Sequence, residues 1–278
     1  MPRHEPSPIA FFDVDETLIT VTSMIGFLAF HPEREGAGSS DFDRACADLL
    51  ARRQHGVARE ELNRAYYRLF AGCTQESLAA AGRAWFRQEA AKGGLLHRPT
   101  LAALHRHRRA GHRIALVSGA PRHCLDPLAE ALGGALVLCA GQRSAGGVLT
   151  GEIDAPVIGE EKAVRASRAM RAYGVDAGDC FAYGDHSSDL PLLCAVGHPV
   201  VVGDDPVLVA RAGREGWPVL PGVRGAGNGA GAGISVGAGD AVGAGDAVGA
   251  RDVTSARDVT SARDAGGAAG QVRTSRAG

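Results

Sequence analysis

The sequence predicts an α/β fold: a doubly wound parallel sheet, with a helical segment inserted after its first strand and a disordered C-terminal tail. Three observations point there. Short apolar runs alternate with helical patterns from about residue 99 to 220, the rhythm of consecutive βαβ units. A lone apolar strand, Ile9–Phe12, comes before them. Between the two, residues 20–95 show helical periodicity and nothing that resembles a strand.

Taken in order, Ile9–Phe12 (IAFF) stops abruptly at Asp13, which suits a buried strand ending in a carboxylate. Thr20–Phe30 is apolar-rich and helical, residues 33–40 (EREGAGSS) form a loop, and Asp41 caps a helix through about Arg53. Residues 59–70 and 75–91 are helices, with Leu62, Tyr66 and Leu69, then Leu78, Ala81, Trp85 and Phe86, at apolar positions. Pro99 opens a helix to Ala110. Its inward stripe is expected to hold Leu101, Leu104 and His105, leaving Arg106, Arg108 and Arg109 as a solvated basic face. Arg113–Val117 is a strand, Pro121–Leu132 a helix and Ala135–Ala140 a strand. Gln142–Ile153 forms a hairpin about Gly146-Gly147, with Glu152 and Asp154 as surface charges. Glu160–Tyr173 is a helix, Asp179–Tyr183 a strand, Asp189–Val196 a helix and Pro199–Val202 a strand.

Composition sorts the chain into unlike parts. Of 39 glycines, 15 fall in residues 221–278, where VGAGDA and RDVTSA each occur twice in tandem. That tail has no Leu, Phe, Tyr, Trp or Met, so it cannot bury enough apolar surface to offset its ordering entropy. The expected division is a core from residues 1–19 and 96–220, a helical insertion at 20–95, and the low-complexity tail at 221–278. A formal charge of −1 argues against a nucleic-acid partner. No apolar run approaches the roughly 18 residues of a membrane span, and MPRHEPSPIAFF lacks a signal-peptide core. Six scattered cysteines without CxxC spacing suit a reducing, cytoplasmic setting.

In such a sheet ligands bind beyond the carboxyl ends of the strands. The strands end in Asp13-Val14-Asp15-Glu16-Thr17, in Ser118-Gly119, and in Gly184-Asp185 with Asp189 four residues on; Lys162 opens the preceding helix. Carboxylates gathered at one edge repel each other unless a cation sits among them, and hard oxygen donors suit Mg²⁺. Carboxylates, a lysine, a serine and Mg²⁺ together suit a phosphoryl group, whose spreading charge they neutralise. Asp13 and Asp15 would face opposite sides of a continuing strand, so the chain must turn after Asp13 to bring Asp15 back.

FFDVDETL, LVSG, the isolated Lys162 and YGDHSSDLPLL resemble, in order, the four motifs of the haloacid dehalogenase (HAD) superfamily. LPLL, AVGHPVVV and the helical insertion resemble its phosphoserine-phosphatase-like branch (subfamily IB), and the likeness spans about residues 9–220. The resemblance implies a Rossmann-like HAD core with a helical cap, acting as a Mg²⁺-dependent phosphatase on a small phosphorylated metabolite. By that likeness Asp13 is the nucleophile, forming an aspartyl-phosphate, and Asp15 the general acid and base. Thr17, Ser118, Gly119 and Lys162 bind the phosphoryl group. Mg²⁺ is held by Asp13, the carbonyl of Asp15 and Asp185, with Asp189 in support.

Two departures stand out. Glu16 fills a slot often taken by Gly or Ser in this branch, and DxDET also occurs in the superfamily's capless protein phosphatases. Thr22 stands nine residues after Asp13, where phosphoserine phosphatases carry the glutamate that pairs with the substrate ammonium. An uncharged alcohol phosphate is therefore expected over phosphoserine. Transfer of the phosphoryl group to an acceptor other than water, and a non-catalytic binding or regulatory role, are the alternatives. Oligomeric state has no signature in the sequence.

Overall fold

The structure, a computed structural model, describes residues 6–30 and 39–223. Nearly all of the tail assigned to 221–278, and most of the loop assigned to 33–40, lie outside these residues. The chain order is β1 (Ile9–Phe12), α1 (Ser23–Phe30), α2 (Ser39–Gln54), α3 (Arg59–Arg68), α4 (Gln75–Ala91), α5 (Arg98–Arg109) and β2 (Arg113–Val117). Then follow α6 (Arg122–Ala131), β3 (Leu136–Leu138), the hairpin strands β4 (Gln142–Ala145) and β5 (Val148–Ile153), and α7 (Glu160–Tyr173). β6 (Phe181–Gly184), α8 (Leu190–Cys194), β7 (His198–Val202), α9 (Pro206–Glu215) and β8 (Val219–Leu220) complete it.

Six strands form one parallel sheet in the order β3-β2-β1-β6-β7-β8, and β4 and β5 pair separately and antiparallel. Strand order reverses at β1, which lies between β2 and β6. Crevices open outside the carboxyl ends of strands at such a switch point. All of β1 is buried, as befits a strand covered on both faces. Its Phe12 ring stacks on Tyr183 at a centroid distance of 4.4 Å. Among the described residues no helix is long and apolar enough to cross a membrane, and no disulfide joins the six cysteines.

The expected stripe on α5 holds at Leu104 but fails at His105. Thr100, Ala103, Leu104 and His107 are the buried positions, Leu101 is half-buried and His105 is exposed. The cause is the docking of the helix. His107 Nε2 lies 2.9 Å from Tyr183 Oη and its Nδ1 2.9 Å from His112 Nδ1. Burial, with the neighbouring His112 charge, pushes His107 down to about 4, so the ring is neutral in the core. Arg106 and Arg109 point outward as expected, but Arg108 is half-buried and donates to the carbonyls of Gly133 (3.1 Å) and Gly134 (2.6 Å). Asp154 is likewise no free surface charge. Its Oδ1 accepts from the backbone N–H groups of Gly141 and Ala155, both at 2.7 Å, and its Oδ2 pairs with Arg165 at 2.7 Å.

The inserted helices dock by close backbone approach. A Cβ on Gly82 of α4 would fall 1.8 Å from the carbonyl oxygen of His123 on α6. Backbone cannot swing aside as a side chain can. Gly82→Ala is therefore expected to destabilise by about 3 kcal/mol, the upper part of the overpacking range, lowering Tm by roughly 6–12 °C in thermal unfolding. An unchanged Tm would show that α4 can slide on α6.

Candidate active site

The loop after β1 supplies the first two carboxylates. Asp13 N donates to the Tyr183 carbonyl at 2.9 Å, so the ladder ends where the Asp13 side chain leaves the sheet. The chain then turns sharply, with Leu18 N and Ile19 N donating to Val14 O at 2.9 and 3.0 Å. Glu16 sits inside this turn at φ 60°, the only non-glycine residue with positive φ among the described residues. That conformation costs a side chain about 1 kcal/mol. The turn carries Asp15 back toward the insertion, where its Oδ1 accepts from Ser23 N, the first residue of α1, at 3.0 Å. Thr17 points the other way, its Oγ1 donating to Asp185 Oδ1 at 2.5 Å. The Thr17 carbonyl is clasped from below by Thr100 Oγ1 at 2.7 Å and His97 Nδ1 at 3.1 Å.

Lys162 enters from the first turn of α7 and is 5% exposed. Its ammonium lies 2.6 Å from Asp13 Oδ1 and 2.5 Å from Asp189 Oδ1. The other Asp189 oxygen accepts from the backbone N–H groups of Asp185 and His186, both at 3.2 Å, which shapes the turn after β6. Asp205 holds the same turn through Ser187 N at 3.0 Å.

Burial and like charge govern the titration of these groups. Burial raises the Asp13 carboxyl, Asp189 adds to the rise, and Lys162 opposes it. Burial alone would favour a neutral Lys162, yet Asp13 and Asp189 hold its ammonium above the ordinary range. Asp15 is pushed up to about 6 by burial, against hydrogen bonds from Ser23. Asp185 is pushed up to about 8 by burial and then by the Asp13 charge, against Thr17.

The donor chemistry fits a hard divalent cation. Carboxylate oxygens of Asp13, Asp185 and Asp189 lie within 4.8 Å of one another. Asp189 has both oxygens committed to Lys162 and backbone, while Asp13 Oδ1 meets Lys162 and Asp185 Oδ1 accepts from Thr17. One lysine against this many buried carboxylates leaves negative charge uncompensated, which an oxygen-coordinated cation would cancel.

Asp13, Asp15, Lys162 and Asp185 line a cavity of about 300 Å³. Thr22, Arg53, Arg59, Asn63 and Tyr66 line it as well. Arg53 and Arg59 are exposed, and Arg59 Nη1 reaches Ser188 Oγ at 3.3 Å. Ser118, 3% exposed, stands past the end of β2, and its Oγ accepts from Ala120 N at 3.1 Å.

The family model for haloacid dehalogenase-like hydrolases matches residues 10–193. The chain belongs to that family. It is 35% identical over 114 residues to a probable phosphatase of Mycobacterium tuberculosis, an alignment covering 41% of this chain and 40% of that one. A protein of unknown function from Bordetella pertussis is similar in structure, with a TM-score of 0.67 and 27% identity over 77% of this chain and 98% of that one. A phospho-aspartyl intermediate analogue of phosphoserine phosphatase has a TM-score of 0.54 at 16% identity, covering 78% of this chain and 94% of that one. That likeness is one of fold.

In this HAD-family hydrolase, Asp13, Asp15, Ser118, Gly119, Lys162 and Asp185 all line the cavity. Thr17 and Asp189 are fully buried behind it, bonded to Asp185 and Lys162 respectively. Sequence spacing did not reach the supporting groups. His97 and Thr100 meet Thr17 across 80 and 83 residues, and Asn63 and Tyr67 meet Gly119 across 56 and 52. Asp205-Pro206 did carry a local signal, that of a helix start, and Asp205 caps α9 through Val207 N and Leu208 N.

Proposed function

We propose that this protein is a Mg²⁺-dependent phosphatase, hydrolysing a small cytoplasmic phosphomonoester through an aspartyl-phosphate on Asp13. The observation that carries the proposal is the buried Asp13–Lys162–Asp189 chain, with contacts of 2.6 and 2.5 Å, set beside Asp185 at the edge of the cavity. Membership of a hydrolase family with a probable phosphatase among its relatives supports it.

Lys162 holds one oxygen of Asp13, leaving the other to attack phosphorus. As that bond forms, the bond from phosphorus to the ester oxygen breaks, and Asp15 donates a proton to the departing alcohol. Asp15, now a carboxylate, takes a proton from the water that cleaves the aspartyl-phosphate, which restores Asp13 and releases phosphate. Ser118, the Gly119 backbone and Lys162 hold the phosphoryl oxygens, and Thr17 orients Asp185. Mg²⁺ would be held by Asp13, Asp185 and the Asp15 carbonyl, and when bound supplies the charge that neutralises the phosphoryl oxygens.

The helices α1–α4 serve as the cap and set the leaving group. Thr22 lines the cleft with Arg53 and Arg59, and among the described residues Glu16 is the one acid lining it outside the phosphoryl site. A substrate ammonium thus lacks the carboxylate partner found in phosphoserine phosphatases, a loss of about 2 kcal/mol or more. Glycerol phosphate is expected to exceed phosphoserine in kcat/KM by at least roughly 30-fold; parity would show that Glu16 supplies the missing charge. The reaction itself is tested with p-nitrophenyl phosphate, with Mg²⁺ and after chelation. Turnover that survives chelation would sink the metal-dependent proposal.

A further inference from the structure

Two side chains of α3 converge on one oxygen of the phosphate-binding backbone. Asn63 Nδ2 donates to the Gly119 carbonyl at 2.9 Å, and Tyr67 Oη donates to it at 3.2 Å. Residues four apart on a helix lie one above the other, so a single turn of α3 presents both donors. The carbonyl belongs to the peptide that joins Gly119 to Ala120. The N–H of that same peptide donates to Ser118 Oγ at 3.1 Å.

The chain of bonds has a direction. A carbonyl only accepts, so the Asn63 amide must turn its nitrogen to it. Burial holds the Tyr67 phenol well above its ordinary range, so it stays a neutral donor. Two donors on one carbonyl polarise the peptide and strengthen its N–H as a donor. That N–H occupies an acceptor position on Ser118 Oγ, which leaves the hydroxyl proton to be given elsewhere, and Ser118 lines the cavity. Asn63, Tyr67 and Ser118 are 3%, 1% and 3% exposed, so water does not compete for these bonds. The approach is also close: a Cβ on Gly119 would lie 3.2 Å from Asn63 Nδ2.

We infer that Asn63 and Tyr67 are positioning residues, which act from the inserted helix through the Gly119–Ala120 peptide to hold the Ser118 hydroxyl as a donor to the phosphoryl group. The inference rests on the phosphatase reading of the site, and it makes phosphoryl binding depend on α3 being docked. A plain docking role for the two side chains would use the same bonds but would not run through Ser118. A coupling measurement separates the two.

Tyr67→Phe, Ser118→Ala and the double variant would be compared with the unsubstituted full chain in Mg²⁺. The readouts are kcat and KM for p-nitrophenyl phosphate, and the affinity for inorganic phosphate by calorimetry. Loss of one neutral hydrogen bond predicts that Tyr67→Phe lowers kcat/KM and phosphate affinity roughly 3- to 10-fold. In the Ser118→Ala background the same change should have no further effect. Asn63→Leu should repeat the pattern; if it lowers the thermal midpoint sharply, Tyr67→Phe, which removes one oxygen, carries the test alone. Effects that multiply in full across the double variant would overturn the inference, as would an unaffected Tyr67→Phe. A full chain that binds phosphate with this coupling yet turns over no ester would instead count against the phosphatase reading and leave the relay standing.

Discussion

Asp13→Asn is expected to lower kcat for p-nitrophenyl phosphate by at least about 10⁴-fold while leaving the fold intact. Residues that form the covalent bond carry effects of this size, because nothing nearby replaces the lost nucleophile. Asp15 does not: its Oδ1 is tied to Ser23 N at the start of α1. Stability should move the other way or not at all. Asp13 is a buried carboxyl raised by burial and by the Asp189 charge, so an uncharged amide relieves repulsion. Lys162 keeps its 2.5 Å partner Asp189. Steady-state assays and thermal unfolding of the same preparation check both halves. An active variant would remove Asp13 as nucleophile, and an inactive but unfolded one would show that its charge is structural.

The sheet edge was legible because its signals are local. A strand that ends in Asp or Ser is visible in four or five residues, and the ends of β1, β2 and β6 could each be read that way. Arg113–Val117, Gln75–Ala91 and Glu160–Tyr173 have the bounds their patterns suggest. The inward polar side chains of α5 were not legible, since Thr100 and His107 meet Thr17 and Tyr183, partners 83 and 76 residues away. Asp154 misled for a related reason. A charge in a polar hairpin looks solvated until Arg165 arrives from α7. The role of Glu16 is half legible: its slot stands out in the motif, but only the backbone shows it in a left-handed conformation that glycine would adopt without strain.

Lys162 shows how tightly the site's chemistry and its stability are joined. Lys162→Ala is expected to destabilise by about 3–5 kcal/mol, the range for removing one partner of a buried ion pair, or roughly 10 °C in Tm. Two carboxylates, Asp13 at 7% exposure and Asp189 at 0%, would then face each other with no cation between them. Activity should fall as well, since the ammonium that steadies Asp13 is gone. The sign of the pH dependence identifies the cause. Asp13 is already raised in the folded state, against the opposing charge of Lys162, so without Lys162 it rises further. Folded carboxyls with raised pKa bind more protons than the unfolded chain, so stability falls as pH rises from the ordinary carboxylate range toward the folded values. The deficit of the variant should therefore shrink on going from about pH 8 to about pH 5. A second substitution gives the converse control. Asp189→Asn in the Lys162→Ala background removes one of the two facing charges and keeps an oxygen to accept from Asp185 N and His186 N. The double variant should recover at least half of the lost midpoint. A pH-independent deficit with no recovery would mean that Lys162 stabilises through the packing of its stem, not through its charge.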